Sequence, residues 1–371
     1  MEQEILCRLA LIQIPGIGDL FAKLLTEYFK GAKHLFSSSR KELSLIPGVG
    51  TYLLGNLTSK KIRDEVFLRA SQELKFTEKH RIKIMFYDEE AYPEKLKGLD
   101  DAPFILFYKG TDVLKTNKIL SIVGTRKATG YGEDVTNKII NDLKTENILI
   151  VSGLAYGIDT FAHKFSVEKN IPTVAVLAHG LDRIYPHKNK RLAEKMLENG
   201  GLLTEFFSGT NPDRENFPKR NRIVAGISDA TLVVEATVKG GALITAKIAN
   251  SYSRDVLAVP GRSIDFYSEG CNWVIKNHQA ALVESGEDIL KALNWTQEAD
   301  VFEKPQLDLF AVLSNEEKAV LDILKNTGTA NKERLAIQLN QKLSVLSGTL
   351  FNMEMNGVIK ALPGNNYQIK A

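Results

Sequence analysis

The six residues 217–222 read Phe-Pro-Lys-Arg-Asn-Arg and combine an aromatic ring, three cations and an amide. Such cations bind phosphates, and an aromatic ring stacks on a nucleic-acid base. A short helix is predicted over residues 223–227, with Pro218 and its neighbours forming a loop before it. Arg220 and Arg222 would then lie in the first helical turn, where cations oppose the helix dipole. This stretch is therefore the first candidate for anion binding.

Two roles for the arginines remain open from this stretch alone. A bound anion would relieve the conflict between the helix dipole and the two side chains. Alternatively, both arginines form ion pairs with acidic residues such as Glu205 or Asp229. The surrounding chain has to decide between ligand binding and scaffolding.

Apolar runs of strand length recur through the middle of the chain, at residues 119–123, 148–151, 173–177, 202–204, 231–234 and 256–259. Most are separated by helix-length segments such as 133–145 and 160–169. Nearly continuous apolar strands that alternate with helices indicate a parallel sheet covered on both faces. In an open sheet of this kind the ligand crevice lies at the carboxyl ends of the strands.

Glycine-bearing loops follow most of these predicted strands, at residues 123–132, 152–159, 178–182, 238–245 and 260–262. Glycine lets the backbone approach a ligand closely, and free amide groups bind anions. The first loop is not GxGxxG, and no GxxxxGK[ST] occurs, so neither a dinucleotide cofactor nor a P-loop is predicted. The loops together with Arg126 predict a site for a phosphate-rich ligand, with no cofactor.

The sequence contains no convincing catalytic or metal-binding set. Ser152, Asp159 and His163 could suggest a triad, but Ser152 lacks a nucleophile-elbow context. Asp159 and His163 are instead expected to cap and pack a helix. His, Cys, Asp and Glu do not cluster with metal-ligand spacing. We therefore predict a binding protein that is not an enzyme.

Length and composition restrict the possible functions less than the motifs do. The 371 residues, 44% hydrophobic and 25% charged, allow two or three domains, and the net charge of +3 permits nucleic-acid binding without arguing for it. Cys7 and Cys271 are far apart, as expected in a reducing compartment. The acidic amino terminus does not resemble a signal peptide, and no apolar run approaches 18 residues. A cytoplasmic protein with no membrane partner is expected.

Two further modules flank the predicted sheet. Residues 1–75 contain an internal echo at 11–18 and 43–50, each with Ile-Pro-Gly and a second glycine two residues on, which predicts a pair of helix-hairpin-helix motifs. Such hairpins bind DNA or serve as inert packing modules. Residues 294–313 are predicted to be a linker, and the three amphipathic patterns and hairpin of 314–371 resemble a winged helix.

Several motifs together resemble the DNA-processing protein A family (DprA, also called Smf). They are Val123-Gly-Thr-Arg, Ser152-Gly-Leu-Ala-Tyr-Gly-Ile-Asp, Ala175-Val-Leu-Ala-His-Gly-Leu-Asp, Tyr185-Pro, Phe217-Pro-Lys-Arg-Asn-Arg, Val234-Glu-Ala, Gly241-Ala-Leu-Ile-Thr-Ala and Val259-Pro-Gly. The resemblance implies an extended Rossmann-like α/β domain over 81–293, with an N-terminal helix-hairpin-helix or SAM-like helical domain and a C-terminal winged helix.

The same resemblance implies a function. Members bind and protect single-stranded DNA, form homodimers and load the RecA recombinase in natural transformation. Thr129 and Gly241 stand where members usually have serine. The candidate DNA-binding set carried over by position is Gly124, Arg126, Thr129, Ser152, Gly153, Phe217, Lys219, Arg220, Asn221, Arg222, Gly240, Gly241 and Thr245.

One enzyme class competes with this interpretation. Residues 239–247 are similar to the glycine-rich motif of nucleoside-monophosphate phosphoribohydrolases, which places a catalytic glutamate near its end. Lys247 stands at that position. A cation cannot stabilise a developing oxocarbenium charge, so hydrolysis is disfavoured.

Overall fold

The computed structural model describes residues 2–295, 314–356, 358–362 and 365–369. The chain divides into two compact units, Met1–Trp295 and Thr296–Ala371. The predicted linker lies outside the described residues from position 296 onward. Each unit is described by itself below.

The first unit begins with a helical segment, whose helices are α1 Glu2–Leu11, α2 Asp19–Tyr28, α3 Ala32–Ser37, α4 Arg40–Ser44, α5 Thr51–Thr58 and α6 Lys60–His80. Their apolar faces bury Leu9, Leu25 and Leu57 in a core that also contains Phe86 and Phe104 from beyond the segment. The helical segment therefore packs directly onto the rest of the first unit. No helix in the described part of the chain is both long and apolar enough to cross a bilayer.

A nine-stranded sheet occupies the centre of residues 2–295. Its strands are β1 Lys83–Phe86, β2 Ile105–Gly110, β3 Lys118–Val123, β4 Ile148–Ser152, β5 Thr173–Val176, β6 Gly200–Thr204, β7 Ala230–Val233, β8 Asp255–Ala258 and β9 Ala281–Leu282. The order is β1-β2-β6-β5-β4-β3-β7-β8-β9. In this order, all strands between β6 and β9 are parallel to their neighbours, as predicted. β1 and β2 add an antiparallel edge beside β6.

Helices cover both faces of this sheet, which confirms the predicted α/β class. They are α7 Glu94–Lys97, α8 Gly130–Asp142, α9 Ile158–Glu168, α10 Lys190–Met196, α11 Asn216–Gly226, α12 Gly241–Ser251, α13 Glu269–Lys276 and α14 Gly286–Ala292, with a 3₁₀ turn at His187–Asn189. Side chains alternate along a strand, so Ile119 packs with α11 and α12 whereas Leu120 packs with α8 and α9.

The strand order creates a topological switch point beside β3. The chain proceeds from β3 to β4, β5 and β6 on one side and then returns to place β7 on the other side. Loops that leave β3 and β7 therefore diverge to opposite sides and open a crevice between them. The first glycine loop and the loop before α12 border this crevice.

The predicted loop at residues 217–222 is wrong, because α11 begins at Asn216. Pro218 lies in the first helical turn, where a missing amide hydrogen costs nothing. The Nδ2 of Asn216 donates to the carbonyl of Asn211 and fixes the start of the helix. Arg220 and Arg222 consequently lie in the second turn, and the helix-dipole argument for an anion at the two arginines does not apply.

The second unit contains three helices and a small antiparallel sheet among its described residues. The elements are α15 Asn315–Thr327, β10 Thr329–Asn331, α16 Lys332–Leu339, α17 Leu343–Met355, β11 Ile359–Leu362 and β12 Asn366–Ile369, with strand order β10-β12-β11. Leu321, Leu335 and Leu350 form its core. Phe351 and Met355 remain exposed on α17, which carries no lysine or arginine.

Candidate nucleic-acid interface

A cavity of about 550 Å³ opens at the carboxyl ends of β3 and β7. Its walls come from the loops after β3, β4 and β7, from the start of α12 and from one side of α11. This is the place that the strand order predicts for a ligand. We refer to it below as the crevice.

Arg126 and Phe217 form the exposed side of the crevice. The Arg126 guanidinium carbon lies 5.0 Å from the centre of the Phe217 ring, which is a cation–π contact. Arg126 is exposed and has no ion-pair partner within the described residues. The Tyr185 ring lies 6.2 Å from the Phe217 ring on a neighbouring loop. A cation and two aromatic rings are thus accessible to a ligand at one rim.

Arg220 lies at the base of the crevice and is 4% exposed. Its Nη1 donates to the carbonyls of Gly153 and Val176, both at 2.6 Å, and so ties α11 to the ends of β4 and β5. The guanidinium occupies the space where residue 153 would carry a Cβ, which requires glycine there. Burial lowers the pKa of Arg220 to about 10, so the side chain stays cationic at neutral pH.

Asp159 holds the same loop from its other side. Its Oδ2 accepts hydrogen bonds from the amides of Gly153 and Ala155, at 3.2 and 3.3 Å. Burial raises the pKa of Asp159, and the neighbouring Arg220 charge and the two amides oppose that rise. Asp159 therefore fixes the glycine loop that precedes α9, rather than capping the helix as expected.

The possible catalytic triad is not assembled. The hydroxyl of Ser152 is buried and donates to the Ile122 carbonyl at 2.6 Å. His163 is buried with its Nδ1 2.7 Å from the Thr173 hydroxyl, and burial lowers the pKa of His163 to about 3. No hydrogen bond joins these two side chains and neither lines the crevice, so both belong to the core.

Arg222 points away from the crevice and forms ion pairs with Glu205 and, at 3.1 Å, with Asp19 of the helical segment. The ion-pair alternative is thus confirmed for Arg222 and Glu205, whereas Asp229 pairs with Lys95. Burial raises the pKa of Glu205 to about 7, although the Arg222 charge opposes the rise.

Lys219 also faces away from the crevice. It is exposed and lines a second cavity of about 670 Å³ between the helical segment and the end of β6. It has no ion-pair partner among the residues that the structure describes. A ligand bound in the crevice would contact Lys219 only if it extended across α11.

The first glycine loop is fastened to Glu235, which follows β7 and is 2% exposed. Thr129 donates to this carboxylate through its amide at 2.9 Å and through its hydroxyl at 2.5 Å. The Thr125 amide donates to the Glu235 carbonyl at 2.7 Å. The Thr129 side chain therefore points to Glu235 and holds the loop, while Arg126 lies between the two attachment points.

The remaining predicted residues lie at the start of α12. Gly240 and Gly241 border the crevice, and a side chain at position 241 would meet only open space. Thr245 is buried and lines the wall. Lys247, at the position of the hydrolase glutamate, is exposed on the same helix.

The structure brings most of the predicted set together. The members of the predicted set that line the crevice are Gly124, Arg126, Gly153, Phe217, Arg220, Asn221, Gly240, Gly241 and Thr245. Thr129, Ser152, Lys219 and Arg222 lie outside its lining. The candidate site set omitted Arg214, an exposed cation of the wall, and Glu235, although Glu235 belongs to the Val234-Glu-Ala motif that supports the family resemblance.

Comparison with known proteins adds family evidence. Residues 83–294, more than half of the chain, match the family model described as DNA recombination-mediator protein A. Protein Smf of Synechocystis sp. is 35% identical over 292 residues, which cover 77% of this chain and 71% of the relative. The family description names a mediator of recombination and no chemical reaction.

Two solved structures are similar as well. The X-ray structure of DNA processing protein A from Streptococcus pneumoniae has 32% identity and a TM-score of 0.63, covering 76% of this chain and 95% of its own. The structure of DNA processing protein A from Helicobacter pylori, described for its single-stranded DNA binding mode, has 28% identity and a TM-score of 0.53. It covers 58% of this chain and 96% of its own.

Proposed function

The chain belongs to the DNA recombination-mediator protein A family, and we propose that it binds single-stranded DNA in the crevice beside β3 and β7. The Arg126–Phe217 pair at the rim carries this proposal. An exposed cation without an acidic partner meets a phosphate, and an adjacent ring offers a surface for a base. Single strands expose both groups, whereas a duplex hides its base faces.

We divide the candidate residues between contact and support. Arg126, Phe217 and Asn221 contact the strand, together with the loop amides around Gly153 and Gly241. Lys219 contacts it where the strand passes over α11. The members of the set whose side chains are bonded within the protein, Thr129, Ser152, Arg220 and Arg222, support the surface without touching DNA.

We also propose the wider role that the family resemblance implies. The protein acts in the cytoplasm as a homodimer, protects incoming strands and loads RecA during natural transformation. The winged-helix interpretation of the second unit is supported by its three helices and hairpin. Because α17 lacks cations and exposes Phe351 and Met355, this unit contacts protein rather than duplex DNA.

A titration with a labelled oligothymidine and with a duplex of the same length tests the central proposal. Binding of the single strand should be tighter, and its affinity should fall as salt increases, by about 0.7 logarithmic units per decade of salt for each phosphate contacted. Preference for the duplex, or an affinity that ignores salt, would refute the assignment. Release of free base from nucleoside monophosphates would instead favour the hydrolase.

A further inference from the structure

Glu235 is a buried carboxylate beside the proposed DNA site, and among the described residues it forms no ion pair. Burying a charge is costly unless hydrogen bonds or dipoles replace the lost water. A negative charge next to a crevice for phosphates is also electrostatically unfavourable. The contacts of the carboxylate must therefore offset both of these electrostatic costs.

The contacts of Glu235 supply such a role. The carboxylate lies at the amino terminus of α8, where the helix dipole stabilises a negative charge. A Cβ on Gly132, in the first turn of α8, would lie only 2.2 Å from Glu235 Oε2, so the carboxylate rests against the turn itself. Thr129, the N-cap of α8, donates both its amide and its hydroxyl to it.

In the dinucleotide-binding version of this architecture, the first helix presents its amino terminus to the ligand's phosphate. Here a carboxylate of the protein occupies that position instead. A ligand phosphate would meet like charge there. The exposed Arg126 in the same loop, over the Phe217 ring, remains available to a ligand phosphate.

We propose that Glu235 is an internal substitute for a ligand phosphate, which fixes the first glycine loop so that Arg126 lies over Phe217. The loop is attached to Glu235 at Thr125 and at Thr129, on either side of Arg126. This positioning role rests on the proposed function, because its effect is measured through binding of single strands.

Two roles of Glu235 predict opposite results. If the carboxylate acts only through its charge, Glu235→Gln removes a repulsion and tightens binding of oligothymidine. If it positions the loop, the same substitution weakens binding by up to about five-fold, which corresponds to about 1 kcal/mol, the whole contribution of the Arg126 contact. Thr129→Val keeps the carboxylate and removes one donor, so it weakens binding under positioning and leaves affinity unchanged under repulsion. We expect weaker binding in both variants.

Glu133→Gln is the matched control, because Glu133 lies in the first turn of α8 and pairs with Lys164 instead of the loop. A double-mutant cycle with Arg126→Ala separates positioning from general damage. In the Arg126→Ala background, Glu235→Gln should have less than a two-fold further effect, since the side chain that it positions is gone. Thermal unfolding checks that each variant folds.

Additive losses in the cycle, or tighter binding by Glu235→Gln, would overturn the positioning role. Failure of the unmodified protein to bind oligothymidine would instead refute the proposed function, so the two failures are distinguishable. Normal binding by both Glu235→Gln and Thr129→Val would also overturn the inference.

Discussion

Arg126 and Arg220 line the same crevice, yet their surroundings differ in every respect that matters for binding. Arg220 is buried, and its Nη1 hydrogen-bonds two main-chain carbonyls. Arg126 is exposed and rests on an aromatic ring. The comparison shows that burial and existing partners, rather than residue type or motif membership, decide which arginine remains free for a ligand.

Arg220→Ala should give the largest effect, because it removes a buried cation and leaves Asp159 and two carbonyls without their compensation. We expect a loss of about 3 to 5 kcal/mol in the free energy of unfolding, measured by urea denaturation. Lys219→Ala, on the exposed side of the same helix, should change stability by less than about 0.5 kcal/mol. Equal stability of the two variants would mean that Arg220 does not stabilise the fold, contrary to its assignment as a supporting arginine.

Glu205 is a largely buried carboxyl group that, together with Asp19, contacts Arg222, so burial affects a charged group here as it does at Arg220. Because burial raises its pKa from 4.5 to about 7, the folded protein holds a proton between these values that the unfolded chain has lost. The resulting stability is complete below pH 4.5 and is lost as the pH rises through 7. Glu205→Gln should remove up to about 3 kcal/mol of this pH dependence.

Urea denaturation at pH 5 and pH 8 measures that difference. Glu215→Gln is the control, since Glu215 is exposed just before α11. An unchanged pH dependence in Glu205→Gln would mean that Arg222 keeps Glu205 ionised throughout, and that the cluster behaves like an ordinary ion pair.

Phe217 tests the exposed side of the comparison. Phe217→Ala should weaken oligothymidine binding by about 1 to 3 kcal/mol, because a stacking surface is lost. Phe217→Trp keeps a ring and should restore most of the affinity, as measured by fluorescence anisotropy. If the alanine and tryptophan variants both bind like the unmodified protein, the ring contributes neither stacking nor support for Arg126.

The sequence predicts the parallel strands β3 to β8 well, because each contains a mostly apolar run and glycine-bearing loops follow most of them, and these signals are local. It fails at α11, where Pro218 suggested a loop although the first helical turn accepts proline. It cannot assign Arg220, since the carbonyls of Gly153 and Val176 come from distant strands. Glu235 was missed for the same reason, because its partner Thr129 lies across the switch point.

Arg126→Ala should give the smallest of these effects on affinity, yet it is the most diagnostic. One exposed phosphate contact contributes about 1 kcal/mol, and its loss should reduce the salt slope for single-stranded DNA by about 0.7. Stability should stay within about 0.5 kcal/mol of the unmodified protein, since Arg126 supports no buried group.

Lys127→Ala removes the same charge from the next position of the loop, where the described residues form no cation–π contact with Phe217. If a general positive potential drives binding, the two variants should weaken it equally. If the ring holds Arg126 against the strand, only Arg126→Ala should change the salt slope. Arg220→Ala would then lower the stability of the protein, as expected of a supporting arginine. Arg126→Ala would remove a phosphate contact, as expected of a binding arginine.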